Sequence, residues 1–279
     1  MIDDYLASFD WSFSTRKKYR GILSVFLAHN SDPEYMTPGD LLSWLEGRST
    51  WGNSQRCAAL SCVRGYLRWR YGANHPALVA KIKRVSPPLQ RSLDGEQVFK
   101  LLSCFDTSTV KGRRDLAMCA LMIDTGLRVS EVARLDLKYL NLEQGKLQVI
   151  VKGGSWESGV YSAYTASLIF GWLPDRAEII APGESAVFVG THKRKGHRLT
   201  PGGIGKIVKK WGEVSGVGAL SPHDLRRSFA TLSTRRGAPT RVLMAAGRWR
   251  SSEMVYRYTR AITQEDFKGY FPVDGIMGL

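Results

Sequence analysis

The sequence predicts a mainly α-helical protein with a small antiparallel β-sheet, which is the α+β class. Before residue 83 and again after residue 200, apolar residues recur every three to four positions, the spacing of helices. Between residues 147 and 164 the pattern changes to short apolar runs around a turn rich in glycine and serine, which is typical of paired strands. A basic stretch containing Pro87-Pro88 separates the two parts. We therefore expect a helical domain at residues 1–83, a linker at 84–92 and a larger domain at 93–279.

The amino-terminal domain is predicted to be a bundle of four short helices. Either Ser14 or Thr15 can cap the first helix. The second helix is predicted to begin at Thr37-Pro38, because threonine can cap a helix and proline is favoured in the first turn. Asn53 begins the third helix, and Pro76 begins a short fourth. The residues expected to face inward are Tyr19, Ile22, Leu23, Phe26, Leu27, Leu41, Leu42, Leu45, Cys57, Leu60, Val63, Leu67, Val79 and Ile82.

The larger domain combines helices with the predicted sheet. Helical spacing marks residues 98–102, then a helix that ends before Gly126, then one that begins at Val129. Helices resume near Thr200 and occupy most of the last third of the chain. Strands are expected at residues 147–151, 160–164 and 187–189.

The charge of the chain points to a polyanionic partner. Of the 279 residues, 40 are Lys or Arg and 25 are Asp or Glu, a formal net charge of +15, and the excess lies on both sides of the linker. Double-stranded DNA is the simplest partner for such a surface. A membrane partner is disfavoured, because no basic amphipathic segment stands out and the most apolar stretch, residues 116–123, is too short to span a bilayer.

The cysteines and the amino terminus predict a cytoplasmic protein without a metal or other cofactor. The amino terminus lacks a signal-peptide pattern. No glycine-rich phosphate loop is recognisable. The cysteines lack metal-ligand spacing, and we expect them to be reduced, small core residues: Cys57, Cys62, Cys104 and Cys119.

Residues suited to phosphodiester chemistry lie in three separate stretches. Arg128 stands at a predicted helix start, and Glu131 can orient it or support a neighbouring side chain. A helix is predicted to begin at Ser221-Pro222. His223 and Arg227 point away from the apolar stripe of this helix, and Arg226 lies at the edge of the stripe. Helix geometry does not choose between these two arginines.

The third stretch supplies a nucleophile. Tyr256 and Tyr258 face nearly opposite sides of a short predicted helix, so only one of them can face a given cleft. Two arginines, a histidine and a tyrosine can break a phosphodiester without a metal. The arginines neutralise the phosphate, the histidine handles hydrogen bonds or a proton, and the tyrosine oxygen attacks phosphorus.

In this order, the motifs resemble those of the tyrosine recombinase (phage integrase) family. The family pattern Thr-Gly-Leu-Arg-hydrophobic-Ser-Glu matches residues 125–131. Its His-x-Leu-Arg, followed by Phe-Ala-Thr, matches residues 223–231 and selects Arg226 over Arg227 as the second phosphate-binding arginine.

The resemblance extends to the nucleophile and to the layout of the chain. The short helix that ends in Arg-Tyr or Ile-Tyr matches Arg257-Tyr258, which selects Tyr258 over Tyr256. The family has His, or in some members Trp, nine positions before the nucleophile, and here that residue is Trp249. The resemblance also implies a helical core-binding domain joined by a linker to a tyrosine-recombinase-like catalytic domain.

Family members carry a catalytic lysine in the turn of a β-hairpin. Lys152 fits that position, although the common Gly-Lys-Gly is here Val-Lys-Gly-Gly-Ser-Trp. Lys146, at the other end of the same predicted strand, is a second candidate. The resemblance implies that this lysine protonates the departing 5′ oxygen while a 3′-phosphotyrosyl link forms, and that four protomers act on two DNA sites.

Other basic residues are expected to grip DNA. The densest run is residues 192–198, which is expected to contact phosphates together with lysines on a following helix. The third amino-terminal helix, with Gln55 beside three arginines, is a candidate for base readout. The predicted DNA-contact residues are Arg56, Arg64, Arg68, Lys193, Arg194, Lys195, Arg198, Lys206, Lys209 and Lys210.

The function predicted in this way is site-specific strand exchange for integration, excision or resolution. Two alternatives remain at this point, a type IB-like DNA topoisomerase and a non-catalytic DNA-binding or architectural protein. An aromatic tail with Phe267, Tyr270 and Phe271 follows the tyrosine. In the family such a tail often docks on a neighbouring protomer, and packing on its own domain is the alternative.

Overall fold

The computed structural model describes residues 1–85, 91–151, 153–192, 194–260, 262 and 266. The chain divides into two compact units, Met1–Pro88 and Leu89–Leu279. Most of the described residues are helical, and the one sheet among them has three antiparallel strands. The predicted fold class is confirmed. The predicted linker at 84–92 lies partly outside the described residues.

The amino-terminal unit contains four helices and a short 3₁₀ turn. Its core is apolar and rich in aromatic rings, with Tyr5, Leu23, Phe26 and Tyr66 fully buried. Its elements are α1 (Ile2–Ala7), α2 (Phe13–His29), α3 (Pro38–Glu46), α4 (Asn53–Tyr71) and the 3₁₀ turn Pro76–Val79.

Three details of this unit differ from the sequence prediction. The first helix, α1, was not expected, and α2 is capped by Ser12 rather than by Ser14 or Thr15, because the Ser12 hydroxyl accepts the Thr15 N–H. Val79 is 68% exposed, since the 3₁₀ turn is only four residues long and buries Ala77 and Leu78 instead. The predicted cap at Thr37 is confirmed, because Thr37 and Asp40 form a reciprocal capping box.

The described part of the carboxy-terminal unit contains eight α-helices and a three-stranded sheet in the order β1-β2-β3. Register pairs Leu147 of β2 with Leu140 of β1 and with Gly159 of β3. The described elements are α5 (Gly95–Ser103), α6 (Val110–Thr125), α7 (Val129–Arg134), β1 (Leu140–Asn141), β2 (Lys146–Ile150), β3 (Trp156–Val160), α8 (Ala163–Ile179), α9 (Pro201–Val214), α10 (Pro222–Arg235), α11 (Thr240–Gly247) and α12 (Ser252–Tyr258).

The strand predicted at residues 160–164 is wrong. Strand β3 ends at Val160, and Ser162 already caps α8, a helix that the sequence reading missed. The Asp124 carboxylate at the end of α6 accepts hydrogen bonds from the Ser162 N–H at 2.9 Å and the Thr165 hydroxyl at 2.7 Å. This tertiary contact fixes the helix start where alternation alone suggested a strand.

The strand predicted at residues 187–189 is also wrong. Only isolated bridges occur in this segment. The Val187 N–H donates to the Leu135 carbonyl at 2.9 Å, and the Trp172 indole donates to the Val187 carbonyl at 2.8 Å. The backbone partners are therefore a helix end and a side chain rather than a neighbouring strand.

The turn between α6 and α7 is shaped by a glycine. Gly126 ends α6 in the left-handed region at φ 57°. A Cβ atom there would lie 2.4 Å from a ring carbon of Phe229 on α10. Glycine thus serves both the backbone conformation and the close approach of α10, and this approach places α10 beside Arg128.

The carboxy-terminal unit has two apolar cores. The larger one surrounds α6, with Leu121, Met118 and Trp172 fully buried. A smaller cluster lies under the last two helices and consists of Phe229, Ala230, Leu243, Trp249 and Val255.

Candidate active site

Arg128 is held by a carboxylate and still reaches solvent. It stands just before α7, and its backbone N–H and its guanidinium each donate to Glu131, at 2.8 Å to Oε2 and 2.8 Å to Oε1. The Glu131 side chain is buried, whereas that of Arg128 is 33% exposed. Both roles considered for Glu131 are compatible with this geometry, because Glu131 orients Arg128 and also lies 3.8 Å from the neighbouring Arg248. An exposed guanidinium edge fixed in this way can bind an anion.

Arg226 is held by backbone carbonyls. One terminal nitrogen donates to the Gly126 carbonyl, the other donates to the Gly247 carbonyl at 2.6 Å, and Nε has no partner. The residue is 1% exposed, and no described carboxylate lies within ion-pair distance of it. Burial first, and then the charge of Arg128, lower the pKa of Arg226 to about 10. A buried cation without an acidic partner favours an incoming anion.

Arg227 does not point away from the core as the sequence reading expected. It is 8% exposed, and its guanidinium pairs with Asp224 one turn earlier at 2.7 Å. Asp224 also belongs to the capping box of α10, so its charge draws Arg227 back along the helix. The helix start at Ser221-Pro222 is confirmed.

His223 and Tyr258 meet although 35 positions separate them. The Tyr258 hydroxyl lies 3.3 Å from His223 Nε2. Tyr256, which is 60% exposed, faces away from this contact. Burial, followed by the charges of Arg227 and Arg226, lowers the pKa of His223. At neutral pH its ring is therefore uncharged and can accept a proton from the phenol.

Trp249 stacks on Tyr258 and completes the cluster. The two ring centroids are 5.1 Å apart at 27°, and the Arg226 guanidinium lies 4.9 Å from the Trp249 centroid and 5.8 Å from that of Tyr258. The Trp249 ring is buried, and its indole N–H has no hydrogen-bond partner. The packing is close enough that a Cβ on Gly247 would lie 2.4 Å from the indole. The structure thus brings together Arg128, His223, Arg226, Trp249 and Tyr258.

The predicted lysine is not part of the described geometry. Lys152 lies outside the described residues, between the ends of β2 and β3. Lys146 begins β2 and pairs with Val160, at the end of the hairpin opposite to that turn. The aromatic tail with Phe267, Tyr270 and Phe271 also lies outside the described residues.

The predicted DNA-contact residues differ in availability. Arg198 is taken up internally, because it donates to Asp136, to Glu184 at 3.0 Å and to the Ala133 carbonyl at 3.0 Å. Arg56 and Arg64 are half-buried on α4, and Lys193 lies outside the described residues. Those with exposed side chains are Arg68, Arg194, Lys195, Lys206, Lys209 and Lys210.

The cysteines are free, with Cys62 and Cys119 buried and Cys57 and Cys104 half-buried. In the described part of the chain, no group of three or more His, Cys, Asp or Glu residues is arranged to hold a metal ion. No helix among the described residues is both long and apolar enough for a membrane crossing.

Sequence reasoning missed Arg248. Arg248 precedes Trp249 in the sequence and was given no role in the sequence analysis. In the structure the Arg248 side chain is 1% exposed and lies 3.8 Å from Glu131. No local pattern signals this burial, because it depends on where α6 and α7 pass.

Comparison with known proteins identifies the family of the chain. The profile of the phage integrase family matches residues 91–265. Tyrosine recombinase XerC of Vibrio parahaemolyticus is 34% identical over 184 residues, which cover 64% of this chain and 58% of that protein. The chain thus spans less than two thirds of that relative's length. Tyrosine recombinase XerD of Listeria innocua is 30% identical over 261 residues, covering 86% of this chain and 87% of the relative.

Solved structures share the fold. A XerH site-specific recombinase bound to a palindromic difH substrate aligns with a TM-score of 0.76 at 20% identity, covering 92% of this chain and 79% of that one. A lambda integrase dimer bound to a COC′ core site aligns with a TM-score of 0.72 at 18% identity, covering 92% and 93%. At these identities the likeness concerns the fold.

Proposed function

The chain belongs to the phage integrase family, and from that membership we propose that it is a site-specific tyrosine recombinase, which cuts and rejoins double-stranded DNA through a 3′-phosphotyrosyl intermediate. The observation that carries this proposal is the meeting of Tyr258 with His223 beside Arg226. The relatives named tyrosine recombinase support the same activity.

The proposed chemistry starts with the phenol. Tyr258 Oη attacks phosphorus while His223 Nε2, 3.3 Å away, takes the phenolic proton. The bond from phosphorus to the 5′ oxygen breaks, and that oxygen leaves as a hydroxyl after protonation, the role proposed for Lys152. One phosphate ester replaces another, so the reverse attack by a 5′ hydroxyl reseals the strand without an external energy source.

The arginines act on the charge that builds on the phosphate. Arg128 presents its partly exposed edge, and Arg226 presents a cation that no described carboxylate neutralises, so both are placed to bind non-bridging oxygens. The indole N–H of Trp249 is buried without a hydrogen-bond partner, and we propose that it donates to the same group once the phosphate is bound. Glu131 holds Arg128 in position.

The proposed partners are duplex DNA and further copies of the chain. A lambda integrase tetramer bound to a Holliday junction is among the structures of this fold, which supports four protomers on two sites. The unit Met1–Pro88 is proposed as the core-binding domain, with Arg68 as an exposed contact. We propose that the protein acts in the cytoplasm, because the relatives named above come from bacteria, whose chromosomal DNA lies there.

The first experiment traps the intermediate. The protein is incubated with a pool of nicked duplexes of randomised sequence, in which the 5′-hydroxyl fragment diffuses away, and covalent complexes that survive denaturation are recovered and sequenced. We expect one enriched site and an adduct at Tyr258. Absence of any adduct across the pool, despite DNA binding, would favour a non-catalytic DNA-binding protein.

The second experiment identifies the reaction. The enriched site is placed twice in one DNA circle. Deletion or inversion products are expected from a recombinase, and relaxed circles alone would identify a topoisomerase instead.

A further inference from the structure

Arg248 adopts a backbone conformation that favours glycine. It follows α11 at φ 54°, and it is the one residue other than glycine with a positive φ among those described. Left-handed backbone costs free energy for any residue with a Cβ atom. A charged side chain kept in such a conformation and buried to 1% exposure calls for a compensating role.

The Arg248 guanidinium joins three segments of the carboxy-terminal unit. It donates to the Thr125 carbonyl at 2.9 Å, and its Nε lies 3.8 Å from Glu131 Oε2. The third segment is β3, where a Cβ on Gly159 would lie 3.3 Å from the other terminal nitrogen. Neither Nε nor that nitrogen has a hydrogen-bond partner.

Two arginines hold the turn that leads into Arg128. Arg248 binds the carbonyl of Thr125, and Arg226 binds the next carbonyl, that of Gly126. Thr125 is the last residue of α6, where helix carbonyls lack partners in the helix. The position of this turn therefore depends on both guanidiniums.

Glu131 connects Arg248 to Arg128. Its Oε1 accepts from the Arg128 guanidinium, while its Oε2 accepts the Arg128 N–H and faces Arg248. A buried carboxylate needs a full set of charged and hydrogen-bonding partners to keep one geometry. Arg248 supplies a second cation to the Glu131 carboxylate, next to Oε2, whereas the Arg128 guanidinium binds Oε1.

We propose that Arg248 is a positioning residue, which fixes Glu131 and the α6–α7 turn so that Arg128 is held ready for the phosphate. The inference rests on the proposed function for its catalytic consequence. Its structural core, the dependence of Arg128 on Arg248, does not require DNA.

The test substitutes Arg248→Gly. Glycine suits the left-handed backbone, so the variant loses the guanidinium without adding strain. We expect cleavage of the trapped site at saturating DNA to slow on the order of 10²-fold, since a small displacement of a phosphate-binding group has effects of that size. DNA affinity should stay close to that of the unaltered protein. The melting temperature should fall, because the buried Glu131 loses a cation, but the protein should remain folded at the assay temperature. Arg250→Ala, which removes one charge from an exposed position in the same loop, is the matched control and should keep the full rate.

Two further variants separate positioning from bulk structure. Arg248→Lys restores a cation, but an ammonium group cannot contact the Thr125 carbonyl and Glu131 at the same time. The cleavage rate of this variant should therefore reach about a tenth of that of the unaltered protein. In a cycle with Glu131→Gln, the double variant should cleave no more slowly than the slower single variant, because both changes break the same connection. Independent, multiplicative losses would overturn the inference.

A DNA-free measurement keeps this test apart from that of the proposed function. Amide hydrogen exchange at Arg128, whose N–H binds Glu131, should accelerate about tenfold or more in Arg248→Gly and remain unchanged in Arg250→Ala. Unchanged exchange would refute the inference even if the protein recombines DNA. If the unaltered protein forms no adduct at all, the proposed function fails, and the exchange result still decides what Arg248 does.

Discussion

The two units differ in what they bury. Among the described residues of the amino-terminal unit, His75 is the one buried polar side chain, and the core consists of aliphatic and aromatic residues. The carboxy-terminal unit, by contrast, buries a series of arginines, namely Arg114, Arg176, Arg226, Arg227 and Arg248.

This difference separates binding from chemistry. Both units are rich in basic residues, but an exposed arginine such as Arg68 is hydrated, whereas Arg226 is already desolvated and held by two backbone carbonyls. Burying the guanidinium away from water costs folding free energy. It also means that no water and no side chain needs to rearrange when an anion binds. Substitutions of exposed basic residues such as Arg68 should therefore change DNA affinity, and substitutions of buried arginines such as Arg226 should change the reaction.

The largest effect is expected at Tyr258. Tyr258→Phe removes the attacking oxygen and should lower adduct formation by at least about 10⁴-fold, with DNA affinity preserved. Gel quantification of the covalent adduct measures this. Tyr256→Phe is the control and should react normally, because Tyr256 faces away from His223. An adduct lost in the control and kept in Tyr258→Phe would move the nucleophile by two residues.

A smaller loss is expected from Arg226→Lys. A single ammonium group cannot hold the carbonyls of Gly126 and Gly247 and also bind a phosphate, so the cleavage rate should fall by about 10²- to 10³-fold. Single-turnover cleavage at saturating DNA is the measurement. The same change at Arg70, an exposed residue of α4, should leave the rate unaltered. Equal losses of cleavage rate in Arg226→Lys and Arg70→Lys would contradict the idea that buried arginines act on the reaction and exposed arginines on DNA binding.

The pH dependence sharpens the role of His223. Burial, and then Arg227 and Arg226, lower the pKa of His223 below the ordinary 6.5, so the neutral ring persists below pH 6.5. The cleavage rate should stay constant from neutral pH to below 6.5 and fall as the pH drops through the lowered pKa. The lowered pKa of His223 also makes the stability of the fold depend on pH. The stabilisation by the neutral ring is fully present above pH 6.5 and is lost as the pH falls through the lowered pKa. In His223→Gln, the rate profile should be lower and should lack this acid limb.

The smallest effects compare two arginines predicted to grip DNA. Arg68→Ala should reduce the slope of log affinity against log salt by about 1 without affecting folding, because an exposed cation releases counterions on binding. Arg198→Ala should leave the slope unchanged and lower the free energy of unfolding by about 2 kcal/mol, because Asp136 and Glu184 lose their partner. Salt titrations and urea unfolding distinguish the two outcomes.

Motifs with local signals were predictable from the sequence. The caps at Thr37 and Ser221 and the glycine that ends α6 are set by residues within one turn of the helix, and the structure has them where they were expected. The meeting of His223 with Tyr258 was expected from the order of the motifs and is present. The catalytic roles assigned to these residues remain predictions until the experiments above are done.

Features that depend on distant partners were not predictable. Helix α8 contains Pro174 and begins where Asp124, 38 residues earlier, binds Ser162. Arg198 lies in a basic run typical of a DNA-contacting loop, yet the fold brings two carboxylates to it. Arg248 is buried against Thr125, Glu131 and Gly159, which lie about 90 to 120 residues earlier in the chain. In each case the deciding contact lies far away in the chain.

The small apolar cluster under α11 and α12 has a consequence for motion. Leu243, Trp249 and Val255 pack on Phe229 and Ala230, apart from the larger core around α6. Segments with few buried apolar contacts open at free energies well below that of global unfolding. We therefore expect α12, which carries the attacking phenol, to open at a lower free energy than the helices around α6. A DNA strand joined covalently to Tyr258 on this segment could therefore move towards the 5′ hydroxyl of another strand.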